Sequence, residues 1–181
     1  MAATATPYGF RAVNLIGGLP FAGSTRQISI ASGYGTNIFN GSIVSIVAAG
    51  TIEVVTTNGD NSTGFPAGTI GIFVGCRYTD PSTSQLTFNQ RWPTGTVASD
   101  AMAYIVDDPN AVFQAQADGA VTQADLGQNT YLAAVQSTST GSTINGNSTS
   151  ALTSTTATTS GMAFRIVDFV DGPDSAIGDA Y

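Results

Sequence analysis

The chain has 181 residues, of which 42% are hydrophobic and only 9% are charged, and its formal net charge is −7. Five arginines are its only cations, and it contains neither histidine nor lysine. A surface so poor in basic residues argues against binding to nucleic acid or to an anionic membrane. We expect a soluble protein made in a cytoplasm, because the sequence shows no signal peptide and no apolar stretch long enough to span a bilayer.

Residues 1–25 carry prolines and glycines between isolated apolar residues and follow no helical or strand period. We therefore predict an extended N-terminal arm that packs on something else. Over residues 26–181, short blocks of β-branched and aromatic residues alternate with turn signals, and this pattern predicts one β-sandwich domain. The predicted strands are RQISI, SIVSIV, TIEVVTT, TIGIFVGCRY, LTFNQRW, AMAYIVDD, VFQAQA, TYLAAVQ and MAFRIVDFV. The expected fold class is all-β: a single antiparallel β-sandwich with the arm and almost no helix.

Three segments between and after these strands have their own signals. A single helical turn is predicted near TQADLGQN, where Thr122 can cap and Gly127 can stop it. Residues 137–161 are rich in Ser and Thr and fit either a disordered linker or exposed strands. The hairpin signal Asn145-Gly146 favours the structured alternative. The end of the chain, VDGPDSAIGDAY, is predicted to be a loose acidic tail.

The residue inventory argues against catalysis. Without histidine, Ser-His-Asp and Cys-His arrangements cannot form, and without lysine, Schiff bases and P-loop chemistry are excluded. We therefore expect no enzyme activity, no cofactor and no metal. Cys76 stands alone in an apolar run, which favours an inert buried thiol over a reactive one.

The acidic residues leave two alternatives open. Paired carboxylates can support glycoside hydrolysis, but adjacent Asp107 and Asp108 would point to opposite faces of a strand, and a turn before Pro109 is the favoured interpretation. Asp and Asn oxygens can bind calcium, with candidates at Asp60 and Asn61 and in the group Asp100, Asp107 and Asp108. No spacing matches a calcium loop, so solvated turn residues are favoured.

Aromatic residues flank two arginines in the middle of the chain. Tyr78 and Phe88 occupy strand positions and are predicted to lie in the core. Trp92 follows Arg91 and precedes Pro93 in a loop-like stretch, so we predict that Arg91 and Trp92 form a surface contact.

Several segments resemble the head decoration (cement) proteins of tailed bacteriophages, including those of short-tailed phages and cyanophages. The middle, MAYIVDDPNAVFQAQADG, is similar to that family's strand, Asp-Asp-Pro, strand pattern, and DLGQNTYLA and MAFRIVDFVDGPD resemble later elements. The pieces are short but cover most of the chain, and the acidic tail departs from the family. In the opening ATPYGFRAVNLIGGLPFAG, the matching positions are Pro7, Gly9, Phe10, Arg11, Gly18, Pro20 and Phe21.

The resemblance implies a virion protein on the outer capsid surface, made in the bacterial host cytoplasm. It implies a β-sandwich, often a homotrimer, that binds and stabilises the shell of major capsid protein. We predict contacts to the capsid or to a sister subunit through Pro7, Tyr8, Phe10, Arg11 and Phe21. The alternative is a carbohydrate-binding or host-receptor-binding adhesive β-sandwich of the virion, which would bind a host surface glycan near Trp92 and Tyr78.

Overall fold

The fold is an all-β sandwich, so the predicted class is confirmed. A computed structural model describes residues 6–170 and 177–178, and this part of the chain contains ten strands and one 3-10 helix. The strands are β1 (Arg11–Leu15), β2 (Arg26–Ser29), β3 (Ile43–Ile46), β4 (Ile52–Val54), β5 (Thr69–Thr79), β6 (Leu86–Asn89), β7 (Met102–Val106), β8 (Ala111–Gln114), β9 (Asn129–Thr130) and β10 (Phe164–Arg165).

β5 is the centre of a six-stranded antiparallel sheet, the central sheet. The strands lie in the order β2-β7-β5-β3-β4, and β6 also pairs with β5. β7 pairs along one side of β5, while β3 and β6 share the other side. A Cβ at Gly71 in β5 would collide with the carbonyl oxygen of Val106 in β7, so this position requires glycine.

The larger core lies on one face of the central sheet. Phe73 and Ile105 point into it from β5 and β7, and Trp92 joins them from an irregular segment. The indole of Trp92 meets the ring of Tyr78 edge to face, with centroids 5.4 Å apart. Each such buried side chain stabilises the fold by roughly 1.5–3 kcal/mol, so this core is the main source of stability.

The smaller core lies between the opposite face of the central sheet and a second layer. Ile43 in β3 and Ile72 in β5 contribute to it. Each directly precedes a residue of the larger core, and successive side chains of a strand point to opposite faces of the sheet. The second layer contains the antiparallel pairs β1–β8 and β9–β10. Phe10 and Leu132 bury their side chains from this layer. The second layer covers only part of the face, near β3, β4 and the first half of β5.

Residues 137–161 are structured, as the Asn145-Gly146 signal favours. The segment runs beside the central sheet: the amide of Asn40 donates to the carbonyl of Gly146 (2.9 Å), and the amide of Ser148 donates to the carbonyl of Asn40 (2.8 Å). Gly146 has φ 75°, consistent with its turn. The segment forms isolated bridges instead of the proposed strands, because several of its hydroxyls bond to nearby backbone groups.

The helical turn at Gln123–Asp125 confirms the expected position of the 3-10 helix. The amide and hydroxyl of Thr122 both donate to a carboxylate oxygen of Asp125 at 2.8 Å. Gly127 follows with φ 82°, which favours glycine.

Two predicted strands are much shorter than expected. TYLAAVQ contributes only to Asn129–Thr130, and MAFRIVDFV contributes only Phe164–Arg165. Burial alternates from Met162 to Val167, as predicted, and the alternation breaks at Asp168. The ladder stops because β9, the strand that pairs with it, is itself two residues long. The acidic tail falls largely outside the described residues.

Candidate functional site

Phe10, one of the predicted partner contacts, lies inside its own domain. Its ring stacks on Phe164 with centroids 5.0 Å apart, and its amide donates to the carbonyl of Gly41 (3.1 Å). A Cβ on Gly41 would lie 2.7 Å from the amide nitrogen of Phe10, so the two segments approach too closely for any other residue. The expectation that Phe10 anchors a partner is wrong, because the second layer buries it to 2% exposure.

The other predicted N-terminal contacts lie at the surface. The guanidinium of Arg11 sits 4.3 Å from the ring centroid of Tyr8, a cation–π contact that fixes both side chains. Burial raises the pKa of Tyr8 above its ordinary value, and the charge of Arg11 opposes part of that rise. Pro7 and Phe21 are half-buried. These four residues stay predicted partner contacts.

An apolar groove of about 1000 Å³, here called the N-terminal groove, runs between β1–β8 and residues 165–170. Among the described residues, the charged ones that line it are Arg165 and Asp168, which carry opposite charges. Exposed apolar patches of this kind mark binding surfaces in soluble proteins. The apolar and aromatic side chains that line it include Tyr8, Val13, Ile16, Phe113, Val167 and Phe169.

The turn after β1 presents two large apolar side chains, Ile16, which lines this groove, and Leu19, which lies outside its lining. The amide of Leu15 donates to the carbonyl of Leu19 (2.7 Å), which closes the turn. Gly17 has φ 101°, a conformation that glycine adopts without strain. Ile16 is 62% exposed and Leu19 is 65% exposed. Sequence reasoning missed both, although two apolar residues around a Gly-Gly pair in LIGGLP are a visible signal for an apolar turn.

Trp92 is not a surface residue, so that prediction is wrong. Its side chain is 0% exposed, and its Nε1–H donates to the carbonyl of Tyr34 (3.2 Å). Its backbone bonds with Ile38, which holds the loop-like stretch against the core. Arg91 is half-buried, and its guanidinium donates to the side-chain oxygen of Asn37 (3.3 Å). The proposed glycan platform of Trp92 and Tyr78 therefore cannot form, because both rings are buried.

Phe88 is exposed, so the prediction that it lies in the core is wrong. Tyr78, for which the same prediction was made, is buried as expected. Phe88 lies opposite Arg77 in the β5–β6 ladder, on the face of the central sheet that the second layer does not cover. Tyr104 of β7 points to the same face and is half-buried. The two-residue period of a strand predicts which residues share a face of the sheet with Phe88, but it cannot predict whether other segments cover that face.

The acidic residues act as turn and surface groups. Asp107 pairs with Arg26 at 2.7 Å, and the carboxylate of Asp108 accepts the amide of Asn110 (2.8 Å), so the interpretation of a turn at Pro109 is confirmed. The carboxylate of Asp60 accepts the hydroxyl and amide of Thr63, and these bonds hold its pKa below the usual range. Within residues 6–170 and 177–178, no three metal-ligating side chains cluster.

The thiol of Cys76 is buried, as expected. Burial raises its pKa to about 12, so the reactive thiolate is scarce at neutral pH. We expect the folded protein to resist alkylation by iodoacetamide at pH 8, whereas protein unfolded in guanidinium is alkylated at one site. Mass spectrometry of the intact chain measures this, and rapid alkylation of the folded protein would contradict the packing around Cys76.

Comparison of the chain with models of known protein families, with curated proteins and with solved structures found no match. No helix in the described part of the chain is long and apolar enough to cross a membrane. The distinctive features of the described surface are the N-terminal groove and the uncovered face of the central sheet. Both are suited to packing against another macromolecule.

Proposed function

We propose that the chain is a structural protein of a tailed-phage virion that binds the outer surface of the head and stabilises the shell of major capsid protein. The observation that carries this proposal is the apolar N-terminal groove. Its walls include β1 and the turn that follows, within the segment that resembles the opening of head decoration proteins. The proposal places the chain on the outer capsid surface, as a homotrimer, after synthesis in the bacterial cytoplasm.

The chemistry of the groove indicates what it would bind. Val13 and Ile16 on one side and Val167 on the other are exposed apolar side chains that gain free energy when a partner covers them. Because the two charged residues in the described part of the lining have opposite signs, we expect long-range attraction to contribute little. We therefore expect the groove to bind an apolar segment of the capsid surface with weak dependence on salt.

Substitutions at the turn test this proposal better than removal of residues 1–25, because such a truncation would also take Phe10 out of the core. Ile16→Asp places a charge on the groove lining and Leu19→Asp places one on the exposed turn that carries Ile16, and neither side chain belongs to the core. Each is expected to weaken binding to shells of the major capsid protein encoded in the same genome by about tenfold or more. Co-sedimentation of the protein with shells over a concentration series measures the change.

Val97→Asp is the matched control, since Val97 is 68% exposed in an irregular segment far along the chain. We expect this variant to bind shells like the unmodified protein. If the unmodified protein does not bind shells, the proposed function is wrong. If it binds but Ile16→Asp and Leu19→Asp bind equally well, the groove is not the contact.

A further inference from the structure

The central sheet has three edge strands, and one of them lacks the usual protection against pairing. β2 begins with Arg26 and β4 contains Glu53, so each carries a charge. β6 has the sequence LTFN and carries neither a charge nor a proline. Natural proteins normally blunt exposed edges with charges, prolines or bulges, because an unprotected edge pairs with other strands.

The hydrogen-bonding groups of Leu86 and Phe88 point outwards from the sheet. The amide of Asp80 donates to the carbonyl of Gln85 (2.9 Å), and the register from that pair into β6 shows no bulge. Because hydrogen-bonded and non-hydrogen-bonded pairs alternate in an antiparallel ladder, Leu86 and Phe88 form the non-hydrogen-bonded pairs with β5. No described residue bonds to the outward N–H and C=O groups of these two residues.

The side chains of the same two residues are exposed on the uncovered face. Leu86 is 54% exposed and Phe88 is 67% exposed. The edge therefore offers free donors, free acceptors and apolar area together. Thr87 lies between them, with its side chain on the opposite face.

We propose that β6 pairs antiparallel with β6 of a second copy of this chain. A two-fold axis at Thr87 sets Leu86 of each copy opposite Phe88 of the other, and the outward groups of these residues then form four backbone hydrogen bonds. An uncharged strand is complementary to itself, since no like charges meet across the axis. Each Leu–Phe pair also packs side by side, and such cross-strand pairs stabilise a sheet by roughly 0.2–1 kcal/mol each.

This two-fold contact does not depend on the proposed function. It uses a surface other than the N-terminal groove, and it requires an assembly with an even number of copies. A three-fold contact elsewhere on the chain would combine with it to give a hexamer. The homotrimer of the proposed function would form through that three-fold contact, and the two-fold contact would join two such trimers; a trimer as the final assembly in solution is incompatible with it.

Thr87→Cys tests the pairing directly. In the proposed register Thr87 faces Thr87 of the other copy as a non-hydrogen-bonded pair, with Cα atoms roughly 4.5 Å apart, and this spacing suits a disulfide. Mild oxidation is expected to link most of the Thr87→Cys chains into covalent dimers. The unmodified chain, whose only thiol is the buried Cys76, and Val97→Cys are the controls and should stay unlinked.

Molar mass in solution gives the second measurement. We expect an even-numbered assembly for the unmodified protein and half that number of copies for Leu86→Lys with Phe88→Lys, whereas Val97→Lys keeps the original mass. A monomeric or trimeric unmodified protein, or an assembly that survives both lysines, overturns the proposal. If the double variant does not fold, the Thr87→Cys cross-link decides alone, and its failure to form overturns the proposal. Shell binding by Ile16→Asp is a separate result and tests only the proposed function.

Discussion

Trp92→Ala is expected to lower the free energy of unfolding by about 3–5 kcal/mol, the usual cost of deleting a large buried aromatic side chain. The indole is fully buried, packs edge to face on Tyr78 and donates a hydrogen bond to the carbonyl of Tyr34. The substitution leaves a cavity and removes one of the two hydrogen bonds to the carbonyl of Tyr34, which still accepts the amide of Gly95 (2.8 Å). Urea unfolding followed by circular dichroism measures the change.

Phe88→Ala is the matched control for this experiment, because it deletes an aromatic ring that is 67% exposed. Its effect on the stability of one folded chain is expected to stay within about 0.5 kcal/mol. Measurement at low protein concentration keeps assembly from contributing. If both variants were equally stable, Trp92 would be a surface residue and the glycan-binding alternative would regain its platform.

Gln136→Leu is expected to cost about 2–6 kcal/mol of unfolding free energy, although leucine is similar in size and more apolar. The buried side-chain amide of Gln136 accepts the amide of Ile43 (2.9 Å) and donates to the carbonyl of Val55 (3.0 Å). Leucine leaves these two buried backbone groups without partners, and each unsatisfied group costs about 1–3 kcal/mol. Thermal and urea unfolding measure the loss.

Gln27→Leu is the control, since Gln27 is exposed on β2. That change should leave stability almost unaltered. A cost below about 1 kcal/mol for Gln136→Leu would mean that water or a rearranged side chain satisfies both backbone groups.

The strand positions could be predicted because strand period and turn chemistry are local. TIGIFVGCRY became the central strand, and the Thr122 cap with the Gly127 stop marked the 3-10 helix. Residues 137–161 could be recognised as structured only from the Asn145-Gly146 turn. Their anchoring beside the central sheet uses backbone hydrogen bonds of Asn40 with Gly146 and Ser148, and no local pattern in a low-complexity segment predicts such long-range bonds.

The errors arose where burial depends on segments that are distant in the sequence. Trp92 looks like a loop residue beside Pro93, and its burial depends on Ile38 and Tyr34, more than fifty residues earlier. Phe88 has a clear strand position, but no local pattern shows that the second layer stops short of it. Gln136 resembles any polar surface residue, and the backbone groups that it satisfies lie 81 and 93 residues away.

The groove could not be predicted for a related reason. Its walls combine β1 with β8 and with residues 165–170, so it exists only after strands from both ends of the chain have met. The sequence directed attention to the first 25 residues, which contribute β1 and the turn after it to the groove. It misassigned Phe10 within them, because an isolated phenylalanine in a Pro- and Gly-rich segment carries no periodic signal.

The order of the strands along the chain has a consequence for synthesis. All six strands of the central sheet lie between residues 26 and 106, so this sheet can form while the ribosome is still adding residues. The second layer joins β1 to β8 and brings Phe10 against Phe164, so it is completed only when almost the whole chain has emerged. A partner that recognises the N-terminal groove would therefore bind only chains in which β1, β8 and residues 165–170 have already come together.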